Sequence, residues 1–127
     1  YVILNRPTRP GVFRDRCCWW HAPLDAARMH EAAQAFVGQH DFSAFRAAEC
    51  QSRSPVRRLA RIAVRRDGER VVLEVTANAF LHHMVRNLAG SLLEVGEGSR
   101  PVEWPAQLLA GRDRHVAGAT APAAGLY

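Results

Sequence analysis

The stretch from Asn78 to Gly96, NAFLHHMVRNLAGSLLEVG, constrains this chain most. Its apolar residues Leu81, Met84, Val85, Leu88, Leu92 and Val95 recur at helical spacing and form one narrow stripe. Asn78 reads as the N-cap, and Gly96 with Gly98 as the stop. At about 100° per residue, His83, Arg86, Gly90 and Leu93 fall on the opposite side. A glycine in mid-helix costs roughly 1 kcal/mol against alanine, so something is expected to pack closely at Gly90. The helix should therefore bury one stripe and present Arg86 to a second, partly enclosed surface. An arginine so placed can also be solvated or held in a structural ion pair, and the pattern alone leaves that open. His82 and His83 would point about 100° apart on a regular helix, which excludes their joint ligation of one metal. No HExxH or CxxC is present, so no metal site is expected.

With 127 residues the chain is one domain, large enough to bury a core. Hydrophobic residues make up 48%, which excludes disorder, and no apolar run approaches the roughly 18 residues of a membrane span. The chain opens at Tyr1 within the apolar run YVIL and closes on GLY, which reads as the start of a strand. It is expected to be a piece of something longer. The three cysteines, Cys17, Cys18 and Cys50, are odd in number and two are neighbours, which fits reduced cytosolic thiols better than disulfides. The formal charge of +5 is carried largely by arginine, the side chain suited to planar, bidentate partners such as phosphates.

Taken in order, residues 1 to 4 read as a strand, followed by an irregular basic loop carrying Arg6, Arg9, Arg14 and Arg16. CCWWHAP reads as a short strand whose Trp19 and Trp20 either anchor a core or stack on RNA bases. Asp25 opens a helix through about Val37, with Met29, Ala33, Phe36 and Val37 inward, His30 exposed and Gly38 as the stop. Phe42 and Phe45 suit a single helical turn that pins a loop to the core. Ala60, Ile62 and Val64 then alternate with Arg61 and Arg65. Asp67-Gly68 supplies a type I′ turn, and Val71, Leu73 and Val75 return, so one face of this hairpin is apolar. A shorter helix starts at Pro101 and runs through Ala110, with Leu108 and Leu109 inward and Gly111 as its stop. The expected fold is α+β, a mainly antiparallel sheet with helices packed on one face. No glycine-rich phosphate loop or GxSxG is present, and a Cys–His nucleophile pairing through Cys50 has no local signature.

Read together, PLDAARMHEAAQAFVGQHDF, DFSAFRAAECQSRSPVRRL, the central helix, LLAGRDR and ATAPAAGLY resemble the bacterial tRNA pseudouridine synthase A family over essentially the whole chain. The resemblance implies an isomerase that converts uridine to pseudouridine on the 3′ side of the anticodon stem and loop. It implies a cytoplasmic homodimer, without cofactor or membrane contact, whose substrate is tRNA. The family's nucleophile is an aspartate in an arginine-threonine-aspartate motif, and none of Asp15, Asp25, Asp41, Asp67 or Asp113 stands in one. The family's base-packing tyrosine would fall two residues before Tyr1. Residues 1–127 therefore correspond to the C-terminal domain, a half of the pseudouridine synthase fold truncated at both ends and expected to be inactive alone. By resemblance, Arg86 is the catalytic arginine that pairs with the absent aspartate. Phe80, Leu81, Met84, Gly125 and Leu126 are expected around the substrate, and Arg46, Arg53, Arg57, Arg58 and His83 on the RNA. A stand-alone basic RNA-binding module without chemistry is the other reading.

Overall fold

A computed structural model describes residues 1–8, 11, 16–47 and 54–127. Cys50 and Arg53 lie outside the described residues, as do Arg9 and Arg14. The described elements are strands β1 (Val2–Asn5), β2 (Cys18–Trp20), β3 (Gly38–Asp41), β4 (Val56–Asp67) and β5 (Arg70–Ala77), and helices α1 (Ala26–Ala33), α2 (Met84–Gly96) and α3 (Trp104–Gly111). The strands form one sheet in the order β2-β1-β5-β4-β3. β1 runs parallel to β2, and the other three pairings are antiparallel. This is the expected α+β arrangement, with β3 (GQHD) added where Gly38 was expected only to stop the first helix.

Alternation along the strands decides which face is covered. Ile3, Cys18, Leu59, Ile62, Val64, Val71 and Leu73 are buried in one core with Met29, Leu88 and Leu92 of the helices. Arg61, Arg65 and Glu74 point away, and Arg65 reaches Glu74 at 3.3 Å. The hairpin departs from simple alternation in two places. The register slips between Leu59 and Arg61, so Ala60 sits in a bulge and is exposed while Leu59 turns inward. The turn is also displaced by one residue. Asp67 pairs with Arg70, leaving Gly68 and Glu69 as the connection, and only Gly68 has positive φ. That is the pattern of a type II′ turn, since type I′ needs both central residues positive.

Asp25 caps α1 by accepting from the Arg28 N–H at 3.0 Å, a contact worth about 1 kcal/mol. The α-helix ends at Ala33 and tightens into a 3₁₀ turn over Gln34–Phe36. That change of period carries Val37 outward, to 41% exposure, against the inward position expected for it. Phe36, Phe42 and Phe45 are fully buried, with Phe36 and Phe45 edge to face at 5.1 Å, and the Ser43–Phe45 turn pins this loop as anticipated.

α2 begins five residues later than its periodicity suggested, with His83 rather than Asn78 at the N-cap. Asn78 does not cap it, because its Oδ1 accepts from the Arg58 N–H at 3.0 Å and extends the hairpin ladder instead. The helix starts after His83, which adopts a left-handed conformation (φ 61°). His82 and His83 thus precede the regular helix, and their rings pack on each other with centroids 4.0 Å apart rather than diverging. At the other end Gly98 (φ 91°) closes a Schellman turn, with the Ser99 N–H on the Glu94 carbonyl and the Gly98 N–H on that of Val95. α3 starts at Trp104 rather than Pro101 and is capped by Arg112 in the left-handed region. Gly125 closes a 3₁₀ turn over Ala123–Gly125, so the GLY ending forms no strand here. No described helix is long and apolar enough to cross a membrane.

Candidate functional site

α2 is buried on two sides, which its sequence already implied. The stripe Met84, Leu88, Leu92 and Val95 faces the core, while Gly90, Ser91 and Leu93 are covered from the other side. The cover is the segment 117–121. A Cβ on Gly90 would stand 1.7 Å from the Ala119 carbonyl oxygen, and one on Gly118 would stand 2.9 Å from Ser91 Cα. Glycine at both positions lets two backbones touch, the close approach anticipated at Gly90.

Beside this contact lies a cleft of about 850 Å³. It is bounded by the loop before α2, the first turn of α2, β5, Tyr1 and the C-terminal residues. Phe80, Leu81, His83, Met84, Arg86 and Leu126, all singled out from the sequence, line it together. Phe80 stands 45% exposed at the rim, whereas Leu81 and Met84 are buried in the wall. Gly125 does not line the cleft. It is buried beneath, where a Cβ would lie 2.6 Å from the Tyr1 ring, so its part is packing.

Arg86 is half-buried, and its guanidinium is held by one edge. Nε–H donates to the Ala121 carbonyl at 2.8 Å, and the Ala121 N–H donates back to the Arg86 carbonyl at 3.0 Å. Among the described residues this is its only side-chain hydrogen bond, and it forms no ion pair. The two terminal nitrogens are left to take an acceptor from the cleft, and a carboxylate can bridge them. Tyr1 is next to it. Burial pushes the Tyr1 phenol well above its ordinary range, and Arg86 pulls the other way. The neutral hydroxyl donates to the Pro122 carbonyl at 2.6 Å.

The arginines expected on RNA are more dispersed. Arg58 is exposed on β4; its carbonyl accepts from the Asn78 N–H and its own N–H donates to Asn78 Oδ1, where the chain leaves β5 for the Phe80 loop. Arg57 turns Nη1 onto the Ser54 and Val56 carbonyls, at 2.9 and 2.8 Å. Arg46 follows the phenylalanine turn and contributes to the field on Asp41, whose carboxylate is pulled low. Burial opposes that shift, but hydrogen bonds from the Ser43 hydroxyl and N–H outweigh it, helped by Arg112. Trp19 and Trp20 are half-buried, neither core nor free surface, and Trp20 Nε1 donates to Glu97 at 3.1 Å.

A second hollow of similar size lies across the 117–122 segment, between Trp20, Arg100 and Trp104. Its arginine is already engaged, stacked 4.8 Å over Trp104 and 3.7 Å from Glu94. Of the residues singled out from the sequence, Trp20, Gly90, Leu93 and Leu108 line it, and none of them was placed around the substrate or among the phosphate contacts.

Sequence reasoning missed Tyr1, Glu74 and Tyr127 in the cleft wall, and it missed Ala121. Ala121 acts through its backbone, which no side-chain pattern reveals. It also missed the buried polar pair Asn87 and Ser91, although two polar residues four apart on an apolar helix were a readable signal.

The family model described as tRNA pseudouridine synthase matches residues 32–127. The tRNA pseudouridine synthase A of Methylococcus capsulatus is 58% identical over 127 residues, which is all of this chain and 47% of that protein. The proteins of the same name from Thiobacillus denitrificans and Cronobacter sakazakii are each 54% identical over the whole chain, which covers 49% and 47% of them. The chain spans about half the length of the curated relatives it matches.

Proposed function

The chain belongs to the tRNA pseudouridine synthase family, and we propose that it forms the C-terminal half of an isomerase converting uridine to pseudouridine on the 3′ side of the tRNA anticodon stem and loop. The observation that carries this reading is Arg86. Its Nε is tied to Ala121, its terminal nitrogens are unclaimed among the described residues, and it stands in a cleft walled by Phe80, Leu81 and Met84. Such an arrangement suits a carboxylate receptor, and no described carboxylate pairs with it: Glu74, in the same cleft wall, is engaged with Arg65.

The chemistry explains the need for it. A carboxylate that attacks the uracil ring, or assists departure of the base, must stay ionised inside a closed site. Desolvation there raises its pKa, and a fixed guanidinium opposes the shift while gripping both oxygens. In this proposal the aspartate comes from the other half of the protein, and Arg86 keeps it charged and aligned. The rearrangement moves bonds within one nucleotide and has no net redox, so it calls for no cofactor. Arg46, Arg57, Arg58 and His83 contact phosphates, which position the RNA without reading its sequence. The enzyme works as a cytoplasmic homodimer on tRNA.

The test is tritium release from an unmodified tRNA transcript labelled at uridine C5, since that hydrogen is lost when C5 becomes the glycosidic carbon. Release by the full-length protein, with weak tRNA binding and no release by residues 1–127 alone, is expected. A full-length protein that binds tRNA without releasing tritium would instead mark a binding module. Release by residues 1–127 alone would remove the need for a second half.

A further inference from the structure

Arg86 faces the cleft, but the groups that aim it lie behind α2. Asn87 is wholly buried, and its Nδ2 donates to the Phe45 carbonyl at 2.7 Å. That bond fixes the amide so that Oδ1 accepts from the Thr120 hydroxyl and, at 2.9 Å, from Arg114 Nη2. Arg114 Nη2 also donates to Thr120 Oγ1, and Nη1 donates to the Gly118 carbonyl, both at 2.9 Å. The Gly118 N–H in turn donates to the buried Ser91 hydroxyl at 3.1 Å. Segment 118–121 is thus fastened to α2 at Asn87, at Ser91 and along the bare Gly90 backbone. The last residue of that segment is Ala121, whose carbonyl takes Arg86 Nε. Pro122 biases Ala121 toward extended backbone, so the seating of the segment sets the direction of that carbonyl.

We propose that Arg114 and Thr120 are positioning residues for Arg86. By clamping the segment onto Asn87 they hold the Ala121 carbonyl in place, and that carbonyl aims the free end of the guanidinium at the carboxylate nucleophile. The proposal rests on the reading of Arg86 given above. Neither Arg114 nor Thr120 lines the cleft, so neither acts by touching the substrate. Arginine loses considerable rotamer freedom when it is held. Releasing the anchor lets the guanidinium sweep, which costs alignment in the reaction rather than affinity for the RNA. Lysine cannot replace Arg114, because a single ammonium lacks the planar fork that spans Gly118, Asn87 and Thr120.

The test uses the full-length protein with Arg114→Lys, Thr120→Val and Thr120→Ser, each in the native and the Arg86→Lys backgrounds. Single-turnover rates at saturating tRNA transcript and tRNA affinities are measured. Arg114→Lys and Thr120→Val should each slow the reaction about tenfold or more, with tRNA affinity within about twofold. Thr120→Ser keeps the hydroxyl and should recover most of the rate. In the Arg86→Lys background the same changes should cost less than about twofold, because no guanidinium remains to be aimed. Equal losses in both backgrounds would show that the residues act only on the fold, and an unchanged rate in the native background would equally overturn the proposal. If Arg114→Lys fails to fold, the Thr120 pair decides. Should Arg86→Lys itself run at the native rate, the reading of Arg86 fails, an outcome distinct from the others.

Discussion

Gly90 in α2 and Ala119 in the C-terminal segment meet backbone to backbone, with a Cβ on Gly90 placed 1.7 Å from the Ala119 carbonyl oxygen. No side-chain rotation relieves that overlap. Alanine gains roughly 1 kcal/mol of helix propensity over glycine, yet Gly90→Ala must push the segment off the helix. The net expectation is a loss of about 1–3 kcal/mol, as for overpacked cores. Denaturant unfolding measures it, and an unchanged midpoint would mean that the segment lifts at little cost.

Arg86→Lys and Arg86→Ala separate a site arginine from a solvated one. A solvated residue changes stability by less than about 0.5 kcal/mol and leaves the reaction alone. If it pairs with the nucleophile, alanine strands a carboxylate in a desolvated cleft, where it takes up a proton near neutral pH. Lysine keeps the charge but loses the two-pronged grip. Both variants of the full-length protein should stay folded by circular dichroism and bind tRNA, with lysine recovering only a small part of the single-turnover rate. Native rates from either variant would falsify the assignment.

Asp41 gives the fold an acid-sensitive clip. Its Oδ1 accepts from the Ser43 N–H at 2.9 Å and from the Ser43 hydroxyl at 2.5 Å, and Arg112 lies 3.7 Å from Oδ2. These contacts hold the folded pKa below the ordinary value despite burial. A depressed carboxylate pKa contributes stability that is fully present above the unfolded value, near pH 4, and that disappears as pH falls through the folded value. Asp41→Asn should cost about 1 kcal/mol at neutral pH. Thermal melts from pH 6 to pH 2 should show the gap between variant and parent closing below about pH 4; a constant gap would mean that Asp41 is not the titrating group.

Arg58 is exposed beside the Phe80 loop, where a phosphate contact is expected. Arg58→Ala in the full-length protein should weaken tRNA binding and lower the slope of log K against log salt by about one. It should do so equally for unrelated RNA hairpins, because a phosphate contact carries no sequence information. A slope that does not change would remove Arg58 from the interface.

Much of this molecule was legible because its information is local. The period of 3.6 in Met84, Leu88, Leu92 and Val95 and the period of 2 in Val71, Leu73 and Val75 are properties of neighbouring residues, and they named the core faces correctly. The unfavourable glycine in mid-helix announced a close contact before its partner was known. The errors fell where a local preference had a tertiary competitor. Asn78 is a good cap in isolation, but Arg58 across the hairpin claims its oxygen. Ala60 keeps the alternation on paper, but the bulge hands the inward place to Leu59.

The sequence by itself determined that one helix would bury a stripe and turn Arg86 to a second surface, because helical geometry follows from spacing alone. Only the tertiary structure decided how Arg86 is aimed. Its anchor is the carbonyl of Ala121, seated by Arg114, Thr120 and Asn87 from parts of the chain about thirty residues apart. A backbone oxygen looks the same at every residue, so its role comes from where the fold puts it and leaves no trace in the residue's identity.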